Sequence, residues 1–240
     1  AIMTVSIACW KAWQEFIGAE LTPPDVVAGH SLGEYTSLVV SGVLNFEDAV
    51  KLVRERGRLM HQASIDRPGS MAAILGLEEL ALVQICSETG VELANINADD
   101  QIVISGDKIA VARALDLASA RGARKSVPLP VSGAFHSSLM QPAADRLAEA
   151  LEQTEITTPR CPVMSNVTAQ PHEDSAQSIR RRLVEQLTSP VLWGNSCEWL
   201  ASNTTGVWHE LAPGSSLKGL MRRIDRSIKV QTHDEPESEA

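Results

Sequence analysis

Apolar positions along this chain recur in two rhythms. Ile2, Val5, Ala8, Cys9, Trp13 and Phe16 stand at helical spacing with Gly18 after them, which predicts an amphipathic helix over 1–18. Pro23-Pro24 breaks it. Asp25-Val26-Val27-Ala28 has the pattern of a short buried strand, and Gly29-His30-Ser31-Leu32-Gly33 turns out of it into a second helix over 34–41 closed by Gly42. A third helix is predicted over 46–62, with Asn45 as N-cap and Val50, Leu52, Val53, Leu59 and Met60 as its apolar residues.

From Pro68 the rhythm shortens. Residues 71–77 predict a strand, 78–88 a helix, 91–97 and 101–105 two strands about an Asp99-Asp100 turn, 109–121 a helix and 125–131 a strand. This order, βαββαβ, is that of a ferredoxin-like unit. Then follow a helix over 138–153, burying Leu139, Met140, Ala143, Ala144, Leu147 and Leu151, and a strand over 162–168. Helices over 179–187 and 191–202, a strand over 207–211 and a helix over 217–224 complete the pattern. Strands alternating with helices outside the insert predict an α/β fold with a parallel sheet. The expected division is a discontinuous core, 1–66 and 132–230, an inserted subdomain, 67–131, and an acidic disordered tail, 231–240.

Composition narrows the function. At 240 residues, 44% hydrophobic and 21% charged, the chain suits one sizeable core or a core with a small second domain. A net charge of −9 argues against a general binder of nucleic acid or anionic membrane. No apolar run approaches the roughly 20 residues of a membrane span. Cys9, Cys86, Cys161 and Cys197 lie far apart without a CxxC, which predicts free buried thiols in a reducing compartment rather than disulfides or a metal site. The opening Ala1-Ile2-Met3 lacks a basic region and a cleavage site; it reads as a start inside a domain, not as a signal peptide.

Gly29-His30-Ser31-Leu32-Gly33 fits G-x-S-x-G, with an apolar strand before it and a helix after it, as a nucleophile elbow requires. The two glycines would permit the tight turn, Ser31 would sit at its tip, and the Leu32 N–H would face a developing oxyanion. The competing reading is a glycine-rich loop with a capping serine. A serine nucleophile needs a base. Among six histidines, His30 is expected beside the sheet, His61 at a helix end, His172 and His233 in polar loops, and His209 in a short strand. His136 follows an apolar strand and precedes a helix, at a sheet edge where α/β sites form; base and structural histidine both remain open for it. Arg54, Arg56 and Arg58 read as solvated helix charges. Gly57 among them costs about 1 kcal/mol relative to Ala, pointing to close packing or access there.

Several segments together resemble the malonyl-CoA:acyl carrier protein transacylases. They are Gly29-His30-Ser31-Leu32-Gly33-Glu34-Tyr35, Arg56-Gly57-Arg58-Leu59-Met60, Gly133-Ala134-Phe135-His136-Ser137, Gln186-Leu187-Thr188-Ser189-Pro190-Val191-Leu192-Trp193 and Glu210-Leu211-Ala212-Pro213-Gly214. They stand in family order and spacing, and the likeness extends to about Ile224. The resemblance implies a hydrolase-like core with the ferredoxin-like insert, a cytoplasmic enzyme of fatty-acid or polyketide synthesis, and no cofactor or metal. It implies malonyl-CoA and acyl carrier protein as substrate and partner. Ser31 would be malonylated, His136 would be its base, and the Gln186 backbone carbonyl would hold His136. Arg56 would pair with the malonyl carboxylate, and Phe135 would leave little room for a branched acyl group. Met60 and Asn97 would lie near the acyl pocket. The family's glycine-glutamine loop, source of a second oxyanion donor, has no counterpart in these 240 residues.

Two other functions fit the elbow: a serine hydrolase or thioesterase, with a triad acid among Asp99, Asp100, Asp107 and Asp116, and an inactive carrier-binding domain. Arg124-Lys125, Arg180-Arg181-Arg182 and Arg222-Arg223 are the candidate carrier-docking clusters.

Overall fold

The computed structural model describes residues 1–18 and 23–234, so 235–240 of the expected tail lie outside the described residues. The first helix, α1 (Ile2–Ile17), stops as predicted at Gly18, φ 61°. Its buried face is not the predicted stripe: Met3, Ser6, Ile7 and Trp10 are buried, while Ile2, Val5 and Phe16 are exposed. Both stripes have helical spacing, and the neighbouring elements select between them. α2 (Leu32–Val40) and α3 (Phe46–Asp66) follow, the latter capped by Asn45, whose Oδ1 accepts the Asp48 N–H at 2.9 Å. With α6 (Gln141–Glu152) and α7 (Ala176–Glu185) they enclose the main core, where Tyr35, Leu38, Leu59, Met140, Leu147 and Leu183 are fully buried. Full burial of one such side chain contributes about 1.5–3 kcal/mol.

Between α3 and α6 run β1 (Gly69–Leu75), α4 (Glu79–Thr89), β2 (Glu92–Ala98), β3 (Gln101–Asp107), α5 (Lys108–Ala120) and β4 (Lys125–Pro128). The strands form one sheet in the order β2-β3-β1-β4, antiparallel at every pairing. Ile74, Leu82, Ile85, Ile102, Ile104 and Ala114 fill the layer between this sheet and its two helices. β4 stops at Pro128, short of the predicted 131, because Pro128 and Pro130 have no N–H to donate. The Asp107 side chain caps α5, accepting from Ile109 N at 2.8 Å and Ala110 N at 3.3 Å.

The expected parallel pairing is sparse. The predicted strands 25–28 and 162–168 meet in one parallel bridge, Val27 with Val163, through Val27 N to Pro162 O and Met164 N to Val27 O, both 2.9 Å. Pro24 and Gly29 bound the first segment, and a turn from Ser165 to Ala169, closed by a 3.0 Å hydrogen bond, ends the second. A longer parallel pair is β5 (Trp208–Leu211) with β6 (Val230–His233). β6 lies partly in the segment expected to be a disordered tail; its partner strand, rather than any local signal, orders it. α8 (Trp193–Asn203) and α9 (Ser216–Ile224) pack beside this pair around Trp193, Cys197 and Met221. The Glu210 carboxylate of β5 caps α9, accepting from Leu217 N at 2.8 Å and Lys218 N at 2.7 Å.

Among the described residues the antiparallel sheet forms one β-bridge to the rest of the chain, at Val191. Val191 bridges to Asn95 of β2, with Ile96 N to Val191 O and Val191 N to Ala94 O both at 2.9 Å. This brings β2 beside the turn at Ser31. Among the described residues no helix is long and apolar enough to cross a membrane, and the four cysteines are free.

Candidate active site

Ser31 caps α2 with φ 52° and ψ −105°, a left-handed backbone that a residue with a Cβ adopts at a cost of about 1–3 kcal/mol. Three side-chain hydrogen bonds hold it there. Asn166 Oδ1 accepts from Ser31 N at 2.7 Å, Asn166 Nδ2 donates to Gly29 O at 2.8 Å, and Gln186 Nε2 donates to Ser31 O at 3.0 Å. The two glycines of the turn are not equivalent. A Cβ on Gly29 would overlap the Gly33 backbone and lie 2.7 Å from Glu34 N, whereas a Cβ on Gly33 would meet nothing within 4 Å. Only the first is demanded by close packing, contrary to the expectation for both.

His136, also left-handed at φ 57°, is buried under the serine. Its Nε2 lies 2.9 Å from Ser31 Oγ, and its Nδ1 lies 2.7 Å from the backbone oxygen of Gln186. A carbonyl only accepts, so Nδ1 carries the proton and Nε2 presents its lone pair to the serine hydroxyl. Burial, reinforced by the charge of Arg56, pushes the imidazole down to about 3, so it stays neutral.

Arg56 is 4% exposed, not a solvated helix charge. Its Nη2 donates to Ser31 Oγ at 3.1 Å and to Gln186 Oε1 at 3.0 Å, and its guanidinium carbon lies 5.5 Å from the Tyr35 ring centre. Burial lowers its pKa and pushes the Tyr35 hydroxyl up to about 12. Among the described residues the buried Arg56 Nε has no hydrogen-bond partner. Arg58, by contrast, pairs with Glu55 at 2.6 Å on the surface. Gly57 is exposed, and a Cβ there would meet nothing, so it marks open space rather than packing.

The remaining expected residues surround this cluster. The Leu32 N–H stands at the first position of α2, where a helix leaves donors without intrahelical partners. Met60 follows Arg56 by one turn and is buried in the main core. Phe135 is half-buried between the main core and the cluster of Met71, Ala94 and Val103. Asn97 does not touch Ser31; its Oδ1 accepts from His30 Nε2 at 2.9 Å, and the His30 ring lies 5.6 Å from Trp193. Of the four candidate triad aspartates, Asp100 pairs with Arg124 at 2.8 Å, Asp107 caps α5, and Asp99 and Asp116 are exposed. His209, expected in a strand, is in one but exposed, stacked on His233.

Sequence reasoning missed three residues. Glu34 is fully buried and accepts from His172 Nε2 at 2.6 Å, Gln186 Nε2 at 2.6 Å and Asn166 N at 3.2 Å. The spacing Ser31-x-x-Glu34 is that of a capping box, but Ser31 makes no side-chain cap, and Glu34 points into the protein. His172, expected in a solvated loop, is buried beside it. Asn166 carried no signal at all; its turn brings it under Ser31.

Comparison with known proteins gives the family. The acyl transferase domain family matches residues 1–233. The malonyl CoA-acyl carrier protein transacylase of Salmonella typhimurium is 41% identical over 240 residues, 98% of this chain and 76% of that protein. The Bacillus subtilis protein of the same name is 43% identical over 99% of this chain and 75% of its own length. Among solved structures, the malonyl-CoA:acyl carrier protein transacylase of Xanthomonas oryzae superposes with a TM-score of 0.92 at 43% identity, covering 98% of this chain and 74% of that one. A malonyl-transacylase in complex with a type II PKS acyl-carrier protein superposes with a TM-score of 0.92 at 40% identity, covering 98% and 76%. The chain therefore belongs to the acyl transferase domain family, among the malonyl CoA-acyl carrier protein transacylases.

Proposed function

We propose that this chain moves a malonyl group from malonyl-CoA to the phosphopantetheine thiol of an acyl carrier protein, through a malonyl ester on Ser31. The observation that carries the reading is the line Ser31 Oγ, His136 Nε2, His136 Nδ1, Gln186 O, with a buried arginine, in no ion pair among the described residues, donating to the same serine. His136 takes the Ser31 proton as Oγ adds to the thioester carbon. The Leu32 N–H donates to the oxyanion. Collapse expels the coenzyme A thiolate, which takes the proton from His136. In the second half-reaction His136 takes a proton from the carrier thiol, the thiolate attacks the ester, and Ser31 recovers its proton. Because a backbone carbonyl orients the imidazole, no triad carboxylate is required. Arg56 binds the free malonyl carboxylate; a planar guanidinium does so with two parallel hydrogen bonds, as lysine cannot. Met60, Phe135 and Asn97 line the approach of the acyl group.

The fold reading at finer grain is a hydrolase-like core over 1–66 and 132–230 with a ferredoxin-like subdomain over 67–131. Its support is the elbow at Ser31 and the β2-β3-β1-β4 antiparallel order under two helices. Three free cysteine side chains of raised pKa (Cys86, Cys161 and Cys197), kept protonated by burial, favour the cytoplasm. The expected docking clusters are partly consumed within the chain. Arg124 and Arg223 pair with Asp100, Arg182 pairs with Glu185, and Arg180 donates to Leu151 O and Thr154 O.

The test is intact-mass measurement after mixing with malonyl-CoA. One malonyl group should appear, map to Ser31, and leave when carrier protein with its phosphopantetheine arm is added. A modified serine that reacts only with water would identify a thioesterase; no modification would identify an inactive domain.

A further inference from the structure

The guanidinium of Arg56 is a buried cation, and among the described residues it makes no ion pair. A buried carboxylate does stand nearby, one amide away. Glu34 accepts from Gln186 Nε2 at 2.6 Å, and on the far side of that amide Gln186 Oε1 accepts from Arg56 Nη2 at 3.0 Å. We propose that Glu34 is a specificity-positioning residue: through the Gln186 side chain it fixes the direction in which Arg56 presents its N–H groups to the acyl carboxylate.

The argument is one of donor and acceptor order. A primary amide can be turned end for end within the same volume. With a carboxylate on one side, only the NH₂ end can face it, so the carbonyl end must face Arg56, where it is a good acceptor. Three contacts hold Glu34 in place: His172 Nε2 at 2.6 Å, Asn166 N at 3.2 Å and the amide itself. The same amide NH₂ also reaches Ser31 O at 3.0 Å, a second acceptor on the same end as Glu34. A neutral amide at position 34 weakens this enforcement, because its own ends can exchange and only the Ser31 carbonyl and the Arg56 donor then still favour the order. Gln186 then flips more readily, and in the flipped fraction its NH₂ faces Arg56 and the guanidinium swings away. The imidazole is untouched by such a flip, since His136 is held by the backbone oxygen of Gln186 and not by its side chain.

The proposal rests on Arg56 as the carboxylate clamp, and three variants separate the two ideas. Acylation of Ser31 is measured with malonyl-CoA and with acetyl-CoA, resolving kcat from KM, alongside a melting temperature. Arg56→Ala should abolish the preference for malonyl; a preserved preference overturns the clamp itself. Glu34→Gln, nearly the same shape without the charge, should lower the malonyl-to-acetyl ratio by about tenfold, mainly through a higher KM for malonyl-CoA, as the loss of an ordered charged hydrogen bond requires. Glu34→Asp should restore part of that ratio. Gln186→Met cuts the same link from the other side and keeps the backbone carbonyl; it should lower the ratio similarly, and it decides the matter if Glu34→Gln does not fold. Equal losses for both acyl groups, or a ratio within about twofold of the unmodified protein, would leave Glu34 only a structural role and overturn the proposal.

Discussion

The antiparallel sheet over 69–128 and the site at Ser31 are built on opposite principles. In the sheet each strand pairs with a partner close in sequence or through one crossover, and its six elements fall near the segments that hydrophobic rhythm predicts. At the site, Ser31, Arg56, His136, Asn166 and Gln186 come from five separate segments spanning 155 positions, and every contact among them is non-local. The sheet is a problem of burying apolar faces. The site is a problem of satisfying polar groups without water, where one misplaced donor costs as much as a lost side chain. The difference teaches where a substitution will be felt as stability and where as chemistry.

That contrast can be broken most sharply with His136→Ala. Removing a positioned general base typically costs 10²–10⁴-fold, so acylation of Ser31 should fall by about a thousandfold while the circular dichroism spectrum is unchanged. Retained acylation would show that another group takes the serine proton. Leu82→Ala addresses the other region. Leu82 is fully buried between α4 and the sheet, so its truncation should cost about 3 kcal/mol in urea unfolding while kcat of the folded fraction stays the same. A large kcat effect would mean that the stitch at Val191 transmits sheet packing to the site.

The pH response should separate the two as well. His136 is neutral in the folded chain down to about pH 3, whereas an unfolded histidine takes a proton near 6.5. Below 6.5 the unfolded state binds the extra proton, so stability falls progressively as pH drops toward 3. A neutral imidazole at His136 can still accept the Ser31 proton in that window. Acylation per folded molecule should therefore hold below pH 6, and His136→Ala should flatten part of the stability loss; an acid limb near 6.5 would place the imidazole in an ordinary environment. The smallest effect is expected at Gly33→Ala, which adds a methyl into open space in a helix and should stabilise by no more than about 1 kcal/mol in thermal unfolding. Destabilisation there would restore the equivalence of the two elbow glycines.

How far the sequence reached differs between particular residues. The helix over 46–62, its Asn45 cap and the order of the inserted strands were legible because each rests on local spacing or on one side chain bonding its own neighbourhood. The α1 stripe was misjudged because a helix with apolar residues on two faces contains no local sign of which face is covered. Arg56 looked like its neighbours Arg54 and Arg58 until the resemblance to a family separated it. Glu34 imitated a capping residue, and His172 imitated a loop residue. Asn166 had no local signature, since its task is to bond the backbone of residues 29 and 31.

By itself the sequence determined the order of the helices and of the inserted strands and the turn at Ser31, and, through the resemblance, it picked out the histidine and arginine that meet that serine. Periodicity and turn chemistry are properties of the chain, written within a few residues of where they act. Only the tertiary structure decided that Arg56 is buried with no ion pair among the described residues, that Nδ1 of His136 holds the proton, and that a buried carboxylate addresses the site through one amide. Those facts depend on which polar groups meet after water has been excluded, and that is settled by packing between segments far apart in the chain.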